Sequence, residues 1–176
     1  MQAKPANITY DPSGFQIISV KSFQNHLNIH KEHIDNFNEG KGDIPFEKAG
    51  AYLHKLFFEN IAPAKRGETI YGKVAEILSL RYGTMDNFMK TYMDTVAKLQ
   101  GSGWVFMNTS GYLNIIPNNR IVDKIGFVID FWEHAYYPEF GPDREAYARE
   151  IIHHINWDVV NQRILASKEK SKDKGL

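Results

Sequence analysis

The stretch Asp130-Phe131-Trp132-Glu133-His134-Ala135-Tyr136-Tyr137 decides how this chain is to be interpreted. The apolar run before it, residues 125–129, predicts a strand that ends at Asp130. If a helical turn starts there, Asp130 and His134 are four positions apart and share a face. A carboxylate and an imidazole that converge among aromatic rings are half of a metal site. The same pair also suits a simpler role, in which an acid and a buried histidine hold a helix in place.

The composition excludes several classes of partner and chemistry. The 176 residues include 21 basic and 21 acidic side chains, so there is no net charge to attract nucleic acid or an anionic membrane. Without cysteine, the chain can form no disulfide, thiolate metal site or cysteine nucleophile. No window is apolar enough to span a membrane, and the first residues contain no apolar leader. These features predict a soluble, cytoplasmic protein with no nucleic-acid partner and no membrane partner.

The N-terminal part of the sequence predicts two helices. Apolar residues recur at steps of three and four over residues 17–37, and His30 lies within that stripe. After a turn, Pro45 suits the start of a second helix. Two helices joined by a short turn predict an antiparallel hairpin, in which His26 and His54 face each other. One histidine on an apolar face is usually a packed core residue, whereas two on facing helices favour a shared site.

The remainder of the sequence predicts a small sheet flanked by helices. In order, the expected elements are a helix over residues 69–81, a helix that Thr84 caps and Gly101 stops, strands at 104–107, 112–116 and 121–129, a helix over 142–155 and a last helix from 157. A polar tail over residues 167–176 is expected to be frayed.

The predicted fold class is therefore α+β. An N-terminal antiparallel helical hairpin, residues 1–66, precedes a C-terminal domain, residues 67–176, with a small antiparallel three-stranded sheet and helices. We expect a metal site between the two domains.

Four side chains are the candidates for this site: His26, His54, Asp130 and His134. Three imidazoles and one carboxylate suit Fe, Mn or Zn, and they include no soft sulfur donor. A redox centre, a zinc hydrolase and a purely structural site would all use such a set. Spacing alone does not choose among these three.

The motif Asp130 to Tyr137 resembles the Asp-x-Trp-Glu-His-Ala-Tyr-Tyr motif of the iron/manganese superoxide dismutases. Further segments resemble that family in the same order along the chain: His26-x3-His30, His54 to Pro63, Gly101 to Trp104, and Asn156-Trp157. The resemblance extends over almost the whole chain from about residue 17, and the motif from Asp130 to Tyr137 is highly specific.

The resemblance implies a superoxide dismutase, which converts superoxide to dioxygen and hydrogen peroxide by cycling a metal between the +3 and +2 states. It implies one Mn or Fe ion per chain, held by four residues: His26, His54, Asp130 and His134. It gives catalytic roles to His30, Asn119 and Tyr137, and it makes Trp104, Phe106 and Trp132 the walls of the site. It also implies a homodimer formed through four residues: Glu133, His134, His30 and Tyr137. The alternative is a structural homologue that binds metal without efficient turnover.

The chain departs from the family pattern at the gateway tyrosine, at the glutamine that holds the metal-bound solvent, and in the segment from Asn119 to Asp130, which is shorter than usual. Ile34 stands where the family has a gateway tyrosine, so the proton path is broken, carried by water, or rerouted through His33 or His30. Asn119 stands where the manganese type has a glutamine that holds the metal-bound solvent. Gly50 stands where the iron type supplies that glutamine. An amide on the sheet side combined with a glycine on the helix favours Mn, with Fe and dual-metal use left open.

Overall fold

The structure is a computed structural model that describes residues 2–64 and 69–172, with side chains up to residue 169. Within these ranges the elements are α1 (Val20–Glu39), α2 (Ile44–Asn60), α3 (Gly72–Tyr82), α4 (Met85–Lys98), β1 (Gly103–Asn108), β2 (Leu113–Pro117), β3 (Ile125–Asp130), α5 (Glu133–Phe140), α6 (Arg144–Ile151) and α7 (Trp157–Lys172). Nowhere in the described ranges does a helix combine the length and the apolar character that crossing a membrane requires.

Helices α1 and α2 form the expected hairpin, and side-chain caps fix where each one begins. The Ser19 hydroxyl accepts a hydrogen bond from the Ser22 amide, so α1 starts at Val20 rather than at residue 17. Gly40 ends α1 in the left-handed conformation, with φ of 68°. The Asp43 carboxylate then caps α2. Residues 40–43 form a short connection, so the two helices are antiparallel neighbours.

The three strands form one antiparallel sheet in the order β2-β1-β3. Every residue of β3 is buried, because α2 and α7 pack against this strand. The third strand begins at Ile125 rather than at residue 121, which corrects the sequence prediction. Lys124 has a φ of 59°, and a residue in this left-handed region cannot continue an extended strand.

A polar network joins α2, β3 and α7 inside the protein. The Asn60 side chain donates to the Val128 carbonyl at 3.1 Å and accepts from the Val128 amide at 2.9 Å. The Arg163 guanidinium donates to Asn60 Oδ1 and to the carbonyls of Gly126 and Leu56, each at 3.1 Å. Because each hydrogen bond connects two different elements, this network fixes the hairpin against the sheet.

The α+β class is confirmed, with the helical hairpin first and the sheet after it. A short antiparallel bridge between Ile61 and Ile155 adds a second link between the two parts. The division into domains 1–66 and 67–176 stays a prediction, and its boundary lies outside the described residues.

The N-terminal arm, residues 2–15, lies along the helical hairpin. The Ala3 amide donates to the Asn38 side chain at 2.8 Å, and that side chain donates back to the Ala3 carbonyl at 3.1 Å. The Ala6 amide donates to His30 Nε2 at 3.2 Å. Three partly buried side chains of the arm pack against the hydrophobic core, namely Ala6, Ile8 and Tyr10, and Phe15 at the end of the arm is part of that core.

The polar tail is more ordered than the sequence predicts. Helix α7 continues to Lys172, so the expectation of a frayed tail is wrong for residues 167–172. The Ser167 hydroxyl lies 3.2 Å from the Thr109 hydroxyl, which connects this end of the helix to the loop after β1. The rest of the tail lies outside the described residues.

Candidate metal centre

Strand β3 ends at the candidate site, where Asp130 lies opposite Trp104 of β1. Asp130 Oδ1 accepts a hydrogen bond from the Trp132 amide at 2.8 Å, and α5 begins one residue later, at Glu133. Asp130 is therefore part of the strand, and the helical turn does not start at this residue. The hydrogen bond nevertheless turns the chain so that His134 Nε2 lies 3.2 Å from Asp130 Oδ2.

The helical hairpin places His26 and His54 next to the same carboxylate oxygen, Asp130 Oδ2. His26 Nε2 lies 3.0 Å and His54 Nε2 lies 3.4 Å from Asp130 Oδ2. Ligand atoms of all four predicted residues lie within 4.8 Å of one another. Asp130 is completely buried, whereas the His134 side chain keeps 24% of its surface exposed. The structure therefore brings together the four side chains that the sequence predicts, at the junction between the hairpin and the sheet.

The hydrogen bonding of His54 shows which of its nitrogens is available. His54 Nδ1 donates to the Gly50 carbonyl at 2.8 Å, since a carbonyl oxygen can only accept. In a neutral imidazole, Nε2 then carries a lone pair. That lone pair faces Asp130 Oδ2 and also His134 Nε2, each at 3.4 Å. A lone pair so close to a carboxylate oxygen is unfavourable unless a positive charge lies between them.

Burial and the Asp130 charge act on the three histidines in opposite directions. Burial lowers the pKa of His26, and it lowers the pKa of His54 well below its usual range, against the opposing effect of Asp130. Burial also acts to lower the pKa of His134, but the charge and hydrogen bond of Asp130 outweigh it and raise that pKa. His26 and His54 are therefore held neutral, as metal ligands must be.

The carboxylate of Asp130 stays ionised in spite of its burial. Burial by itself would raise the Asp130 pKa, but the charge of His134 and the hydrogen bonds from His134 and His26 lower it below the usual range. A buried anion among nitrogen donors is the charge pattern that a metal cation completes.

The spacing of the donor atoms fits a single metal ion. Bonds from a metal ion to imidazole nitrogen and carboxylate oxygen are about 2.0–2.2 Å long, so donors around one ion lie about 3–4 Å apart. The contacts of Asp130 Oδ2 with the three histidines range from 3.0 to 3.4 Å. The donor types and their spacing therefore fit Mn or Fe.

Aromatic rings enclose three of the four residues. The His26 ring lies 5.3 Å from Phe57 and 4.8 Å from Phe58, measured between ring centroids. Trp104 contacts His54 edge to face at 4.9 Å, and Trp132 stacks on His134 at 6.2 Å. These contacts agree with the predicted walls at Trp104 and Trp132. Phe106 is buried in β1, and its role as a wall stays a prediction.

His30 lies beside the cluster, beneath the N-terminal arm. Its ring is 2% exposed and stacks 5.9 Å from the His54 ring. Burial, with a smaller contribution from His26, lowers the pKa of His30 to about 4. Since Nε2 accepts from Ala6, the proton of the neutral ring is on Nδ1, which has no hydrogen-bond partner among the described residues.

The other two predicted catalytic residues lie in different surroundings. Asn119 is half-buried, and its Oδ1 accepts a hydrogen bond from Trp104 Nε1 at 3.0 Å. This bond connects Asn119 to the tryptophan that contacts His54, and it leaves the amide NH2 of Asn119 as the donor. Tyr137 is on the surface of α5, with 55% of its area exposed.

Sequence reasoning underestimated His33, which lies against the site. On a regular helix residue 33 points about 100° away from Ile34, the position of the family's gateway tyrosine. Residue 33 is, however, seven positions after His26, and seven residues are almost two full turns, so both side chains lie on one face. The His33 ring accordingly lies 5.2 Å from the His54 ring, while Ile34 is buried. The seven-residue spacing was the signal that could have revealed it.

The fold and the cluster define an α+β protein with a buried site that could hold a metal ion. The chain matches the family model described as "Iron/manganese superoxide dismutases, C-terminal domain" over residues 70–163. It therefore belongs to the iron/manganese superoxide dismutase family.

Three relatives illustrate the similarity. "Superoxide dismutase [Mn], mitochondrial" of Neurospora crassa is 34% identical over 72% of this chain and 57% of its own length. "Superoxide dismutase [Mn/Fe]" of Aeropyrum pernix is 30% identical over 74% of this chain and 65% of its own. "Superoxide dismutase [Fe]" of Sulfolobus acidocaldarius is 30% identical over 70% of both. This chain thus spans less than two thirds of the first two relatives.

Proposed function

We propose that this chain is a superoxide dismutase that uses one Mn or Fe ion. In the overall reaction, two superoxide ions and two protons give one dioxygen and one hydrogen peroxide. The ion would be bound by His26, His54, Asp130 and His134. The observation that carries the proposal is the His54 lone pair, which faces a buried carboxylate oxygen at 3.4 Å. The names of the relatives, which specify Mn, Fe or Mn/Fe, support the same chemistry.

In this proposal the metal ion, when bound, supplies the one-electron exchange between the +3 and +2 states that both half-reactions need. The protein residues bind the ion, orient its ligands and exclude water from the site. Asp130 and the histidines bind the ion, and the hydrogen bond to the Gly50 carbonyl keeps His54 Nε2 directed at it. The rings of Phe57 and Trp104 exclude bulk water from the buried side.

The polar groups beside the cluster would provide the hydrogen bonds along which protons are delivered. His30 carries its proton on Nδ1, and the amide NH2 of Asn119 is the donor that its hydrogen bond with Trp104 leaves available. Tyr137, exposed on α5, would connect the site to solvent or to a partner subunit. We propose Mn as the preferred ion, because Gly50 offers no amide on the helix side and Asn119 offers one on the sheet side.

Replacing His54 by alanine tests the metal centre. We expect the His54→Ala variant to lose its metal and to melt at a lower temperature, because an ion that binds only the folded state stabilises it. Metal content and melting temperature are measured for wild type and variant, with His153→Ala, which removes an exposed histidine, as the control.

Activity is tested on the wild type loaded separately with Mn and with Fe. Superoxide removal by at least one form is the expected result. If neither form is active, the chain is not a dismutase. If His54→Ala retains its metal and its melting temperature, the assignment of the site is wrong.

We also propose a homodimer formed through four residues: Glu133, His134, His30 and Tyr137. The exposure of Tyr137 and Glu133 on α5 supports this surface. His30 is 2% exposed and bonded to Ala6, so its contact with a partner requires the N-terminal arm to move.

The Glu133→Ala variant tests this surface. Glu133 accepts a hydrogen bond from the Ser102 hydroxyl at 2.7 Å within its own chain, a weak exposed contact whose loss should change folding little. We therefore expect the variant to remain folded but to dissociate at a higher protein concentration and to retain less metal. Analytical ultracentrifugation measures the first effect. The control is Glu145→Ala, which removes an exposed acid that pairs with Arg149 within its own chain. A Glu133→Ala variant identical to wild type in both properties contradicts the proposed surface.

A cytoplasmic location remains a proposal. The Neurospora crassa relative is named as mitochondrial, so subcellular fractionation, with the chain detected by an antibody, is the deciding measurement.

A further inference from the structure

His33 is in contact with one face of α2, which contains Glu47, Gly50 and His54. These three residues are spaced by three and four positions, so they follow one another along a single side of the helix. His33 Nδ1 donates to Glu47 Oε2 at 2.6 Å, with 13% and 12% of the two side chains exposed. The His33 ring also lies 5.2 Å from the His54 ring. His33 thus touches the start, the middle and the metal-site end of this face.

Gly50 has no space for a side chain, because the His33 ring occupies it. A Cβ atom at residue 50 would lie 2.7 Å from three atoms of that ring: Cγ, Nδ1 and Cε1. Non-bonded carbon atoms do not approach so closely, since their optimal separation is about 3.5–4.0 Å. Glycine within a helix is destabilising relative to alanine. Close packing of His33 is therefore the physical reason for glycine at this position.

Gly50 also controls the direction of His54. Its carbonyl accepts the hydrogen bond from His54 Nδ1 at 2.8 Å. That bond fixes which nitrogen of His54 carries the proton and how the ring is rotated. A displacement of the Gly50 backbone would therefore change the direction of His54 Nε2.

We propose that His33, anchored by Glu47, is a positioning residue for the metal centre. It packs against Gly50 and so holds in place the carbonyl that orients His54. The inference rests on the proposed metal centre, and it is independent of whether the bound metal turns over superoxide. The rigid, flat ring of His33 is suited to this role, because its bond to Glu47 prevents it from rotating away from Gly50.

The experiment uses Co²⁺ as a probe, because its visible absorption bands depend on coordination geometry. Metal-free wild type and variants are titrated with Co²⁺, and the dissociation constant and spectrum are recorded. The variants are His33→Ala, Glu47→Gln, Glu47→Leu, Gly50→Ala and the double variant His33→Ala/Gly50→Ala. The exposed His153→Ala is the control for removing an imidazole elsewhere.

We expect His33→Ala and Glu47→Leu to weaken Co²⁺ binding by about 10- to 100-fold and to shift the visible bands. Glu47→Gln should resemble wild type, because its amide oxygen still accepts the proton of His33 Nδ1. A purely structural loss of packing at Glu47 would not distinguish glutamine from leucine in this way.

Gly50→Ala tests the contact itself. In the wild-type background its methyl group collides with the His33 ring, and we expect a loss of affinity similar to that of His33→Ala. In the His33→Ala background the methyl group has space, so the double variant should bind Co²⁺ no more weakly than His33→Ala alone. If Gly50→Ala does not fold, the inference is tested by comparing the Co²⁺ affinities of His33→Ala, Glu47→Leu and Glu47→Gln.

Several outcomes would overturn the inference. One is wild-type affinity and spectrum in His33→Ala and Glu47→Leu, which would make His33 a space-filling residue. Another is an equal effect of Gly50→Ala in both backgrounds. A wild type that binds Co²⁺ normally but removes no superoxide rejects only the dismutase function. A wild type that binds no Co²⁺ rejects this inference together with the metal centre.

Discussion

A single ring nitrogen of His154 has two possible partners, and its protonation state decides between them. His154 Nδ1 lies 3.0 Å from the Ala64 amide nitrogen and 3.0 Å from the Ala62 carbonyl oxygen. An unprotonated Nδ1 accepts from Ala64, whereas a protonated one donates to Ala62. Burial lowers the pKa of His154, and the hydrogen bond to Ala62 opposes only part of this effect. The folded protein therefore favours the neutral ring.

This preference makes stability depend on pH. The unfolded chain takes up a proton on His154 near its ordinary pKa of about 6.5, while the folded protein does so only at lower pH. The contribution of His154 to the free energy of unfolding is therefore complete above about pH 6.5 and is lost as the pH falls below it. In urea unfolding at several pH values, the His154→Gln variant should lose stability less steeply than wild type. An equal loss of stability with falling pH in wild type and in His154→Gln would contradict this expectation.

At the scale of single residues, the four candidate ligands could be predicted from the sequence. Their residue types restrict the chemistry, and the motif from Asp130 to Tyr137 is specific. The bond between Asn119 and Trp104 could not be predicted, because it depends on how a loop folds back onto the sheet. The sequence indicates His33 only as an alternative for the proton path; its position against His54 could have been predicted from its seven-residue spacing from His26.

At the scale of the elements, a side-chain network connects the end of helix α2 to strand β3 and helix α7. Arg163 of α7 donates hydrogen bonds to Asn60 Oδ1 and to the carbonyls of Leu56 and Gly126. Burial lowers the pKa of Arg163, and Glu59, 3.6 Å away, opposes this effect. The guanidinium therefore connects three elements while paired with one acid.

Replacing Arg163 by methionine should destabilise the fold. The side chain keeps a similar length, but buried acceptors lose their donors, which costs about 2–4 kcal/mol of unfolding free energy. Urea denaturation measures the loss. The control is Arg149→Met, which breaks an exposed ion pair with Glu145 and should change stability by no more than about 0.5 kcal/mol. A loss for Arg163→Met as small as that of the control would show that the network contributes little.

The start of helix α4 was easier to predict than the start of strand β3. Thr84 caps α4 as its sequence indicates, because a hydroxyl before an apolar stripe is a local signal. The start of β3 depends instead on the left-handed backbone of Lys124, which no side-chain pattern indicates. The order of the elements other than α5 follows from periodicity, whereas the packing of the hairpin on the sheet depends on contacts distant in sequence.

At the scale of the whole molecule, the candidate site connects parts of the chain that are far apart in sequence. His26 and Asp130 are 104 positions apart, and they meet at 3.0 Å. The geometry of the site therefore exists only when the hairpin and the sheet are packed together. A bound ion acts as a link between them.

Metal removal should consequently lower the stability of the entire fold. Binding to the folded state alone adds RT ln(1 + [L]/Kd), which is about 2.7 kcal/mol when free metal is 100 times its dissociation constant. We expect the melting temperature of metal-free protein to rise as Mn²⁺ is added, whereas that of His54→Ala should stay constant. Calorimetry with stepwise addition of Mn²⁺ measures this dependence. A wild-type melting temperature that does not change with Mn²⁺ would mean that the ion does not bind the folded state at this site.

The contact between Ala6 and His30 has a consequence for hydrogen exchange. Residue 6 lies in no helix or strand, yet its amide donates to a ring nitrogen of a histidine that is 2% exposed. Its neighbour, the Asn7 amide, donates to Glu59 in an exposed hydrogen bond. A buried acceptor slows deuterium uptake far more than an exposed one. Adjacent amides of one segment without helix or strand should therefore exchange at very different rates, and the slower one records each opening of the N-terminal arm.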